Sequence, residues 1–214
     1  MFVSDWMTRK VFTVTPDDGL YDAIKLLKEK KIKHIPVVKK ARLKGILSDR
    51  DLRTFSPSKA TSFDAYELHY LLVKVRVKEI MKTKVITTTS DTAIEEAAEL
   101  MHDKNIGCLP VLEDSELVGI ISDKDIFRAL VDITGVRHGG SRVYLTIEDK
   151  PGSIKDVADV IRKYGFSLQS ILTSYERVPD GYRNIVIRTK GKGQFGGLKS
   201  ELLASYKGAR ILKG

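Results

Sequence analysis

The chain has 214 residues, of which 42% are hydrophobic and 30% charged, and a formal net charge of +9. This balance excludes wholesale disorder and collagen-like repetition, and no stretch approaches the roughly 18 apolar residues that a membrane-spanning helix needs. The N-terminus lacks a signal-peptide pattern, and Cys108 has no second cysteine with which to pair. We therefore expect a soluble protein of the cytoplasm that makes no membrane contact.

The charge is unevenly divided along the chain. Residues 1–60 and 139–214 are basic, whereas residues 61–138 carry more acidic than basic side chains. An acidic middle third would repel a phosphate backbone, which argues against one continuous nucleic-acid-binding stripe. The lysine-rich stretch 28–44 keeps a basic nucleic-acid-binding protein as an alternative function, although no aromatic side chains are interleaved with its cations.

An internal repeat dominates the first 135 residues. Sliding the sequence against itself by 74 residues superimposes Met7 on Met81 and Pro36 on Pro110 without a gap. Each copy predicts a short strand (11–15, 85–89) and then an amphipathic helix, at 20–30 in the first copy. Apolar runs on either side of a polar connection predict a hairpin in each copy, and a second helix follows it. The hairpin strands are predicted at 34–38, 43–47, 109–112 and 117–121.

A short motif, G-h-h-S-x-x-D, ends each hairpin at residues 45–51 and 119–125. It runs from a buried strand directly into a helix, whose first N–H groups and positive dipole end favour a phosphate. A hydroxyl, a cation and a carboxylate in each copy suit a phosphate or a ribose. These side chains are Ser48, Arg50, Asp51, Ser122, Lys124 and Asp125. The same Ser-x-x-Asp spacing is also typical of a helix capping box, so both interpretations stay open.

The duplicated pattern of strand, helix, h-P-V, hairpin and G-h-h-S-x-x-D resembles a tandem pair of CBS domains, a Bateman module. The resemblance implies a non-catalytic regulatory module without a metal or catalytic cofactor. Its two clefts would bind adenine nucleotide (AMP, ADP or ATP) or S-adenosylmethionine, with apolar residues of the hairpins enclosing the purine. Further ligand contacts implied by the resemblance are Thr13, Ile35, Pro36, Val37, Thr87, Leu109, Pro110 and Val111.

The two copies differ where a ligand would lie. The first copy has Lys33 and His34 together with Arg50, whereas the second has Gly107 and Cys108 in the equivalent positions. Grouping residues within each copy predicts unequal sites, the first better suited to several phosphates. A lone histidine is more often structural than a ligand contact, and we interpret His34 in that way.

The last third of the chain predicts a different unit. Its elements are strands at 142–147, 167–177, 182–189 and 209–212, a helix with Ile154, Val157, Ala158 and Ile161 on one face, and a second helix at 198–206. This βαββαβ order is ferredoxin-like. The turn Asp149-x-Pro-Gly152-x-Ile154 resembles the D-x-P-G-x-L signature of ACT domains, which implies dimerisation and an amino-acid site at Asp149, Gly152, Ser153 and Ile154. Ser167 stands where many ACT domains carry Asn, which favours dimerisation over amino-acid binding.

The whole architecture resembles the acetoin-utilisation B proteins of bacteria. The predicted organisation is CBS repeat 1 (1–60), a connecting segment with a helix at 63–75 (61–78), CBS repeat 2 (79–137), a linker (138–141) and an ACT-like domain (142–214). We expect a homodimer formed through the CBS and ACT domains, and a client protein that the sequence does not name. A purely structural interaction module is a further alternative, and no catalytic motif is present.

Overall fold

The computed structural model describes residues 1–55 and 73–214 as two compact units, Met1–Ile126 and Phe127–Gly214. Residues 63–72 of the predicted connecting helix lie outside the described residues. The division between the units falls inside a helix, before the predicted linker at 138–141. Among the described residues, no helix is long and apolar enough to cross a membrane.

The first unit contains both copies of the repeat. Its elements are α1 (Val3–Trp6), α2 (Leu20–Lys30), β1 (His34–Lys39), β2 (Arg42–Ser48), α3 (Asp49–Phe55), α4 (Val77–Ile80), α5 (Ile94–Asp103), β3 (Cys108–Glu113), β4 (Glu116–Ser122) and the start of α6 (Asp123–Ile133). The predicted hairpins and the helix at 20–30 are confirmed. The strands form one sheet in the order β1-β2-β4-β3, where β2 meets β4 at Arg42 and Glu116.

The predicted strands at 11–15 and 85–89 do not form. Within the described residues, these segments make one parallel bridge each, between Val14 and Val37 and between Thr88 and Val111. The reason lies a few residues earlier, where the amide N–H of Thr8 donates to the carbonyl of Ile120 in the other repeat. The chain therefore crosses from one repeat to the other and forms only a single bridge with its own hairpin.

The leading segment of each repeat thus packs on the opposite repeat. Thr8 and Ile120 exchange two backbone hydrogen bonds of 2.9 and 3.0 Å, and Lys82 and Ile46 exchange two of 2.9 Å. Gly45 makes the second crossing possible, because a Cβ there would lie 2.8 Å from the Lys82 carbonyl oxygen. The motif glycines therefore serve the exchange between the repeats rather than a turn.

The second unit contains β5 (Arg142–Glu148), α7 (Ser153–Lys163), β6 (Ser167–Ser174), β7 (Tyr182–Lys190), α8 (Phe195–Ser205) and β8 (Arg210–Leu212), preceded by a 3-10 turn at Val136–His138. The antiparallel sheet has the order β6-β7-β5-β8, and its core includes Val143, Val157, Ile187 and Leu198. The predicted βαββαβ order is present.

Two predicted boundaries in this unit are wrong by three residues. Strand β6 ends at Ser174 rather than 177, because the chain turns at Arg177, whose φ is +57°. Helix α8 begins at Phe195 rather than 198. A Cβ at Gly197 would lie 2.3 Å from the Tyr164 ring, so this glycine belongs to the helix and makes room for an aromatic side chain.

Candidate functional site

Two clefts in the described part of the first unit are built from both repeats. Cleft 1, of about 160 Å³, is lined by residues from segments 8–12 and 31–34 of the first repeat and from segment 120–125 of the second. Cleft 2, of about 440 Å³, is lined by residues from segments 82–86 and 105–108 of the second repeat and from segment 46–53 of the first. Each cleft is composite because the leading segments are exchanged.

The two linings are related by the internal repeat. Shifting Thr8, Lys10, Val11 and Phe12 of cleft 1 by 74 residues gives four residues that line cleft 2. These are Lys82, Lys84, Val85 and Ile86. The clefts are therefore two copies of one site with different side chains at equivalent positions.

The predicted grouping of site residues within each copy is present only in part. Lys33 and His34 line cleft 2 together with Arg50, but Gly107 lines cleft 2 as well, whereas Lys124 lines cleft 1. The helix start of each repeat thus completes the cleft whose leading segment belongs to the other repeat. Sequence reasoning missed this grouping because nothing in the order of residues shows that the leading segments cross.

The Ser-x-x-Asp pairs form caps at the starts of α3 and α6. The Ser48 amide N–H and hydroxyl donate to Asp51 Oδ2 at 2.9 and 2.5 Å, and the Asp51 amide N–H donates to Ser48 Oγ at 3.3 Å. In the second repeat, the Ser122 amide and hydroxyl donate to Asp125 Oδ2 at 2.9 and 2.8 Å. The capping interpretation is therefore satisfied in both copies, while Ser48, Ser122 and Asp125 also line a cleft.

Asp51 also forms an ion pair across the repeats. Lys82 Nζ lies 2.9 Å from Asp51 Oδ1, and the Asp51 side chain is 11% exposed. Burial by itself raises the pKa of Asp51, but the hydrogen bonds from Ser48 and Lys82 outweigh burial and lower this pKa below its usual value. Asp51 therefore stays ionised and holds the leading segment of the second repeat.

Nine predicted contacts, Asp51 among them, line neither cleft in the described residues. Ile35, Val37, Leu109 and Val111 have no exposed surface and belong to the core, so the predicted purine sandwich of these side chains is wrong. Consecutive residues of β1 and β3 are buried, so both faces of these strands are covered and alternate residues gain no access to solvent. Pro36 and Pro110 are buried beside them, and Thr13 and Thr87 line neither cleft.

Four residues line both clefts and form a shared wall: Lys33, His34, Cys108 and Asp123. The His34 ring lies against Gly107, where a Cβ would be 3.1 Å from His34 Cε1. Burial lowers the pKa of His34, and the nearby Asp49 and Asp123 carboxylates oppose this effect. Burial, assisted by Asp123, raises the pKa of Cys108 to about 12, so its thiol stays protonated. His34 thus lies on the wall, where the sequence suggested only a structural role.

The residues that sequence reasoning missed come mainly from the leading segments. Lys10 and Phe12 line cleft 1, and Lys82, Lys84 and Ile86 line cleft 2. The signal that could have found them is the repeat alignment itself, because it extends back to Met7 and Met81, well before the hairpins.

In the second unit, the residues of the predicted amino-acid site lie around the start of α7. Gly152 precedes the helix with φ +89°, and nothing lies within 4 Å of the position of a Cβ. Arg183 Nη2 donates to Ser153 Oγ at 3.1 Å, and Arg183 Nε lies 3.4 Å from Asp149 Oδ1. Ile154 instead packs against the core. Arg183, which the sequence did not suggest, connects two of the four predicted residues.

Duplicated α/β repeats with exchanged leading segments and two composite clefts define a paired-domain module. The family model "CBS domain" matches residues 3–58 and 77–132, and the chain belongs to the CBS-domain family. CBS-domain proteins are generally regulatory and non-catalytic. Among the curated relatives at 30–33% identity, the shared region spans from 22% to 93% of the relative's length, so the pair also occurs within much longer proteins.

Three solved structures resemble the CBS pair. An acetoin utilization protein (AcuB) from Vibrio cholerae is 32% identical with a TM-score of 0.54, over 64% of this chain and 96% of that chain. The CBS domain pair of MJ0100, in complex with 5′-methylthioadenosine and S-adenosyl-L-methionine, is 26% identical with a TM-score of 0.51, over 62% and 97%. CBSX2 in complex with AMP is 30% identical with a TM-score of 0.52, also over 62% and 97%.

Proposed function

We propose that this protein is a non-catalytic metabolite sensor that binds adenosine-based ligands in its two composite clefts. The observation that carries the proposal is the pair of clefts that combine cations, a capped helix start and apolar side chains from both repeats. An adenosine compound presents the complementary parts, namely an apolar ring, ribose hydroxyls and, in nucleotides, a phosphate. The AMP bound to CBSX2 and the adenosine compounds bound to the MJ0100 pair support the same ligand class.

Each cleft offers defined groups to such a ligand. In cleft 2, the start of α3 would direct Ser48 and Arg50 toward a phosphate, and Lys84 adds charge from the leading segment. In cleft 1, Ser122 and Lys124 take the same places at the start of α6. Of the two cap carboxylates, Asp125 lines cleft 1 and already accepts bonds from Ser122, so a ribose in cleft 1 would share this carboxylate rather than displace the cap.

Ligand binding would regulate through the contact between the repeats. A ligand in either cleft touches a leading segment of one repeat and a helix start of the other, so it bridges the two. A ligand shifts a conformational equilibrium only by its differential affinity for the two states. The exchanged segments are where such a difference would arise, and a client protein would respond to the change in packing.

The experiment that tests the proposal is a thermal-shift panel followed by calorimetry on the full chain. AMP, ADP, ATP, S-adenosylmethionine and 5′-methylthioadenosine are added at increasing concentration. A ligand at 100 times its Kd should stabilise the folded state by about 2.7 kcal/mol. If no adenosine compound in the panel binds, the proposal is wrong and the capping interpretation suffices for both motifs.

A matched pair of variants locates the binding. Lys33 lies on the shared wall, so Lys33→Ala should weaken binding of a phosphate-bearing ligand about tenfold through loss of a charge-assisted contact. Lys28→Ala removes the same charge from an exposed position of α2, and its affinity should match that of the unmodified chain. Equal losses in both variants would indicate a general charge effect instead of a site.

We also propose that the second unit is an ACT-like domain that dimerises and holds an amino acid at the start of α7. The sheet order, the open space at Gly152 and the Arg183 contacts to Asp149 and Ser153 support this role. Light scattering on the full chain measures the oligomeric state. A thermal-shift panel of the common amino acids tests for an amino-acid ligand. An amino acid that stabilises the unmodified chain should lose this effect in Arg183→Ala.

A further inference from the structure

We propose that the two clefts select different ligands: cleft 2 takes a nucleoside polyphosphate, and cleft 1 takes an adenosine-type nucleoside without a polyphosphate chain. This inference rests on the proposed function, because it assumes that the clefts bind adenosine compounds. It is carried by three differences between equivalent positions, namely the type of cation, the presence of an aromatic ring and the size of the cleft.

The cations of the two clefts differ in chemistry. Arg50 and Arg53 line cleft 2, whereas Lys124 stands at the position equivalent to Arg50 in cleft 1. Besides His34, which lines both clefts, the basic side chains that line cleft 1 among the described residues are lysines. A planar guanidinium presents a fixed pair of parallel N–H donors that matches two phosphate oxygens, a geometry that an ammonium group lacks. Cleft 2 is thus better suited to a chain of phosphates.

The cations of cleft 2 are also held in place. Arg53 Nη2 lies 2.5 Å from Asp49 Oδ2, and Lys82 Nζ lies 2.9 Å from Asp51 Oδ1. The lysine position has no counterpart in cleft 1, where Thr8 stands in place of Lys82. Because two of the cations are positioned before a ligand arrives, less conformational entropy is lost when phosphates bind.

The aromatic side chain is found in cleft 1. The Phe12 ring is 44% exposed and lines this cleft, and Lys30 Nζ lies 5.1 Å from its centroid. Ile86 occupies the equivalent position in cleft 2. An aromatic ring can stack on a purine and an isoleucine cannot, so cleft 1 offers a nucleoside base more than cleft 2 does.

The sizes of the clefts agree with this division. Cleft 2, at about 440 Å³, is more than twice as large as cleft 1, at about 160 Å³. A nucleoside polyphosphate needs room for its tail in addition to the base and ribose, and cleft 2 is the larger of the two.

The test exchanges residues between the repeats, so that each substitution introduces a side chain that the chain already has at the equivalent position. Calorimetry with ATP and with 5′-methylthioadenosine is carried out on the full chain and on Arg50→Lys and Phe12→Ile. Arg50→Lys should weaken ATP at least fivefold and leave 5′-methylthioadenosine unchanged. Phe12→Ile should weaken 5′-methylthioadenosine at least fivefold and leave ATP unchanged.

The reciprocal variants Lys124→Arg and Ile86→Phe complete the test, since each should give its cleft some affinity for the ligand of the other. The division of ligands is overturned if ATP fills both clefts with equal affinity, or if Arg50→Lys and Phe12→Ile weaken the same ligand. In those cases adenosine compounds still bind and the proposed function stands. If neither compound binds the unmodified chain, the proposed function fails together with this inference.

Discussion

The two repeats differ little in their core and much in their clefts. Ile35 and Leu109, and likewise Val37 and Val111, are equivalent pairs that are fully buried and similar in size. Several cleft positions instead combine unlike residues, namely Phe12 with Ile86, Lys31 with Asn105, His34 with Cys108 and Thr8 with Lys82, while others, such as Lys10 with Lys84, are identical. Close packing limits what a core position accepts, whereas a cleft position that contacts solvent can change without loss of the fold. The comparison therefore separates residues needed for structure from residues available for ligand choice.

The largest effect on stability is expected at the two motif glycines, where the leading segment of one repeat packs most closely on the other repeat. Gly45→Ala would place its Cβ 2.8 Å from a backbone carbonyl oxygen, that of Lys82, whereas Gly119→Ala would meet chiefly the Met7 sulfur at 2.5 Å. A methionine side chain can move and a paired backbone cannot, so we expect a loss of about 2–3 kcal/mol in the free energy of unfolding for Gly45→Ala and a smaller loss for Gly119→Ala. Chemical denaturation of both variants measures this difference. Equal losses would contradict the role of the backbone in the first crossing.

The next effect concerns the ion pair found at one crossing. Lys82→Thr introduces the residue that the first repeat has at the equivalent position and leaves the partly buried Asp51 without its lysine. We expect a loss of about 1 kcal/mol at pH 7. Lys78→Thr is the control, because Lys78 pairs with the exposed Asp17 and its replacement should cost less. Similar costs for the two variants would show that burial of Asp51 adds nothing.

The pH dependence of Lys82→Thr gives the sign of this interaction. The pKa of Asp51 is lowered in the folded chain, so the carboxylate contributes stability at pH values above its usual pKa of 3.8. That contribution is lost as the pH falls through the folded pKa and Asp51 becomes protonated. The difference between the unmodified chain and Lys82→Thr should therefore shrink at acid pH, and a constant difference would indicate another cause.

Much of the fold could be predicted because local patterns determine it. The apolar spacing of 20–30 gave helix α2 at its observed bounds, and the hairpins follow from alternating runs around a polar turn. The segment 11–15 was misjudged because a β-like sequence pairs only if a partner strand lies beside it, and here the chain is directed to the other repeat. Propensity does not show which partner a segment meets.

The site could be predicted by residue type but only in part by place. Ser48, Arg50, Ser122, Lys124 and Asp125 line the clefts, because a motif at a helix start keeps its position relative to its own strand. Which motif completes which cleft depends on the exchange of leading segments, a non-local contact without a local pattern. The prediction of hairpin residues as ligand contacts was wrong for a different reason. The h-P-V pattern here lies on a strand that is covered on both faces, so its side chains belong to the core.

The smallest effect concerns the shared wall, where His34 of the first repeat is equivalent to Cys108 of the second. Burial is the main cause that lowers the pKa of His34 in the folded chain. Between this lowered pKa and the usual value of 6.5, the unfolded chain therefore binds more protons than the folded chain. The free energy of unfolding should therefore fall as the pH drops below 6.5, by less than about 1 kcal/mol down to pH 5.5. Asp49, Asp51 and Asp123 favour the charged ring and Lys33 opposes it, which keeps the effect small.

Denaturation of the unmodified chain, His34→Gln and the exposed-site control His102→Gln across this pH range isolates the contribution. His34→Gln should flatten the decline below pH 6.5, while the control keeps it. An unchanged slope in His34→Gln would place the pH dependence elsewhere in the chain. A flattened slope would show that the first repeat contributes a proton-sensitive group to the wall where the second contributes a thiol that stays protonated. The charge of the wall that an anion meets in either cleft would then change with pH through His34 of the first repeat.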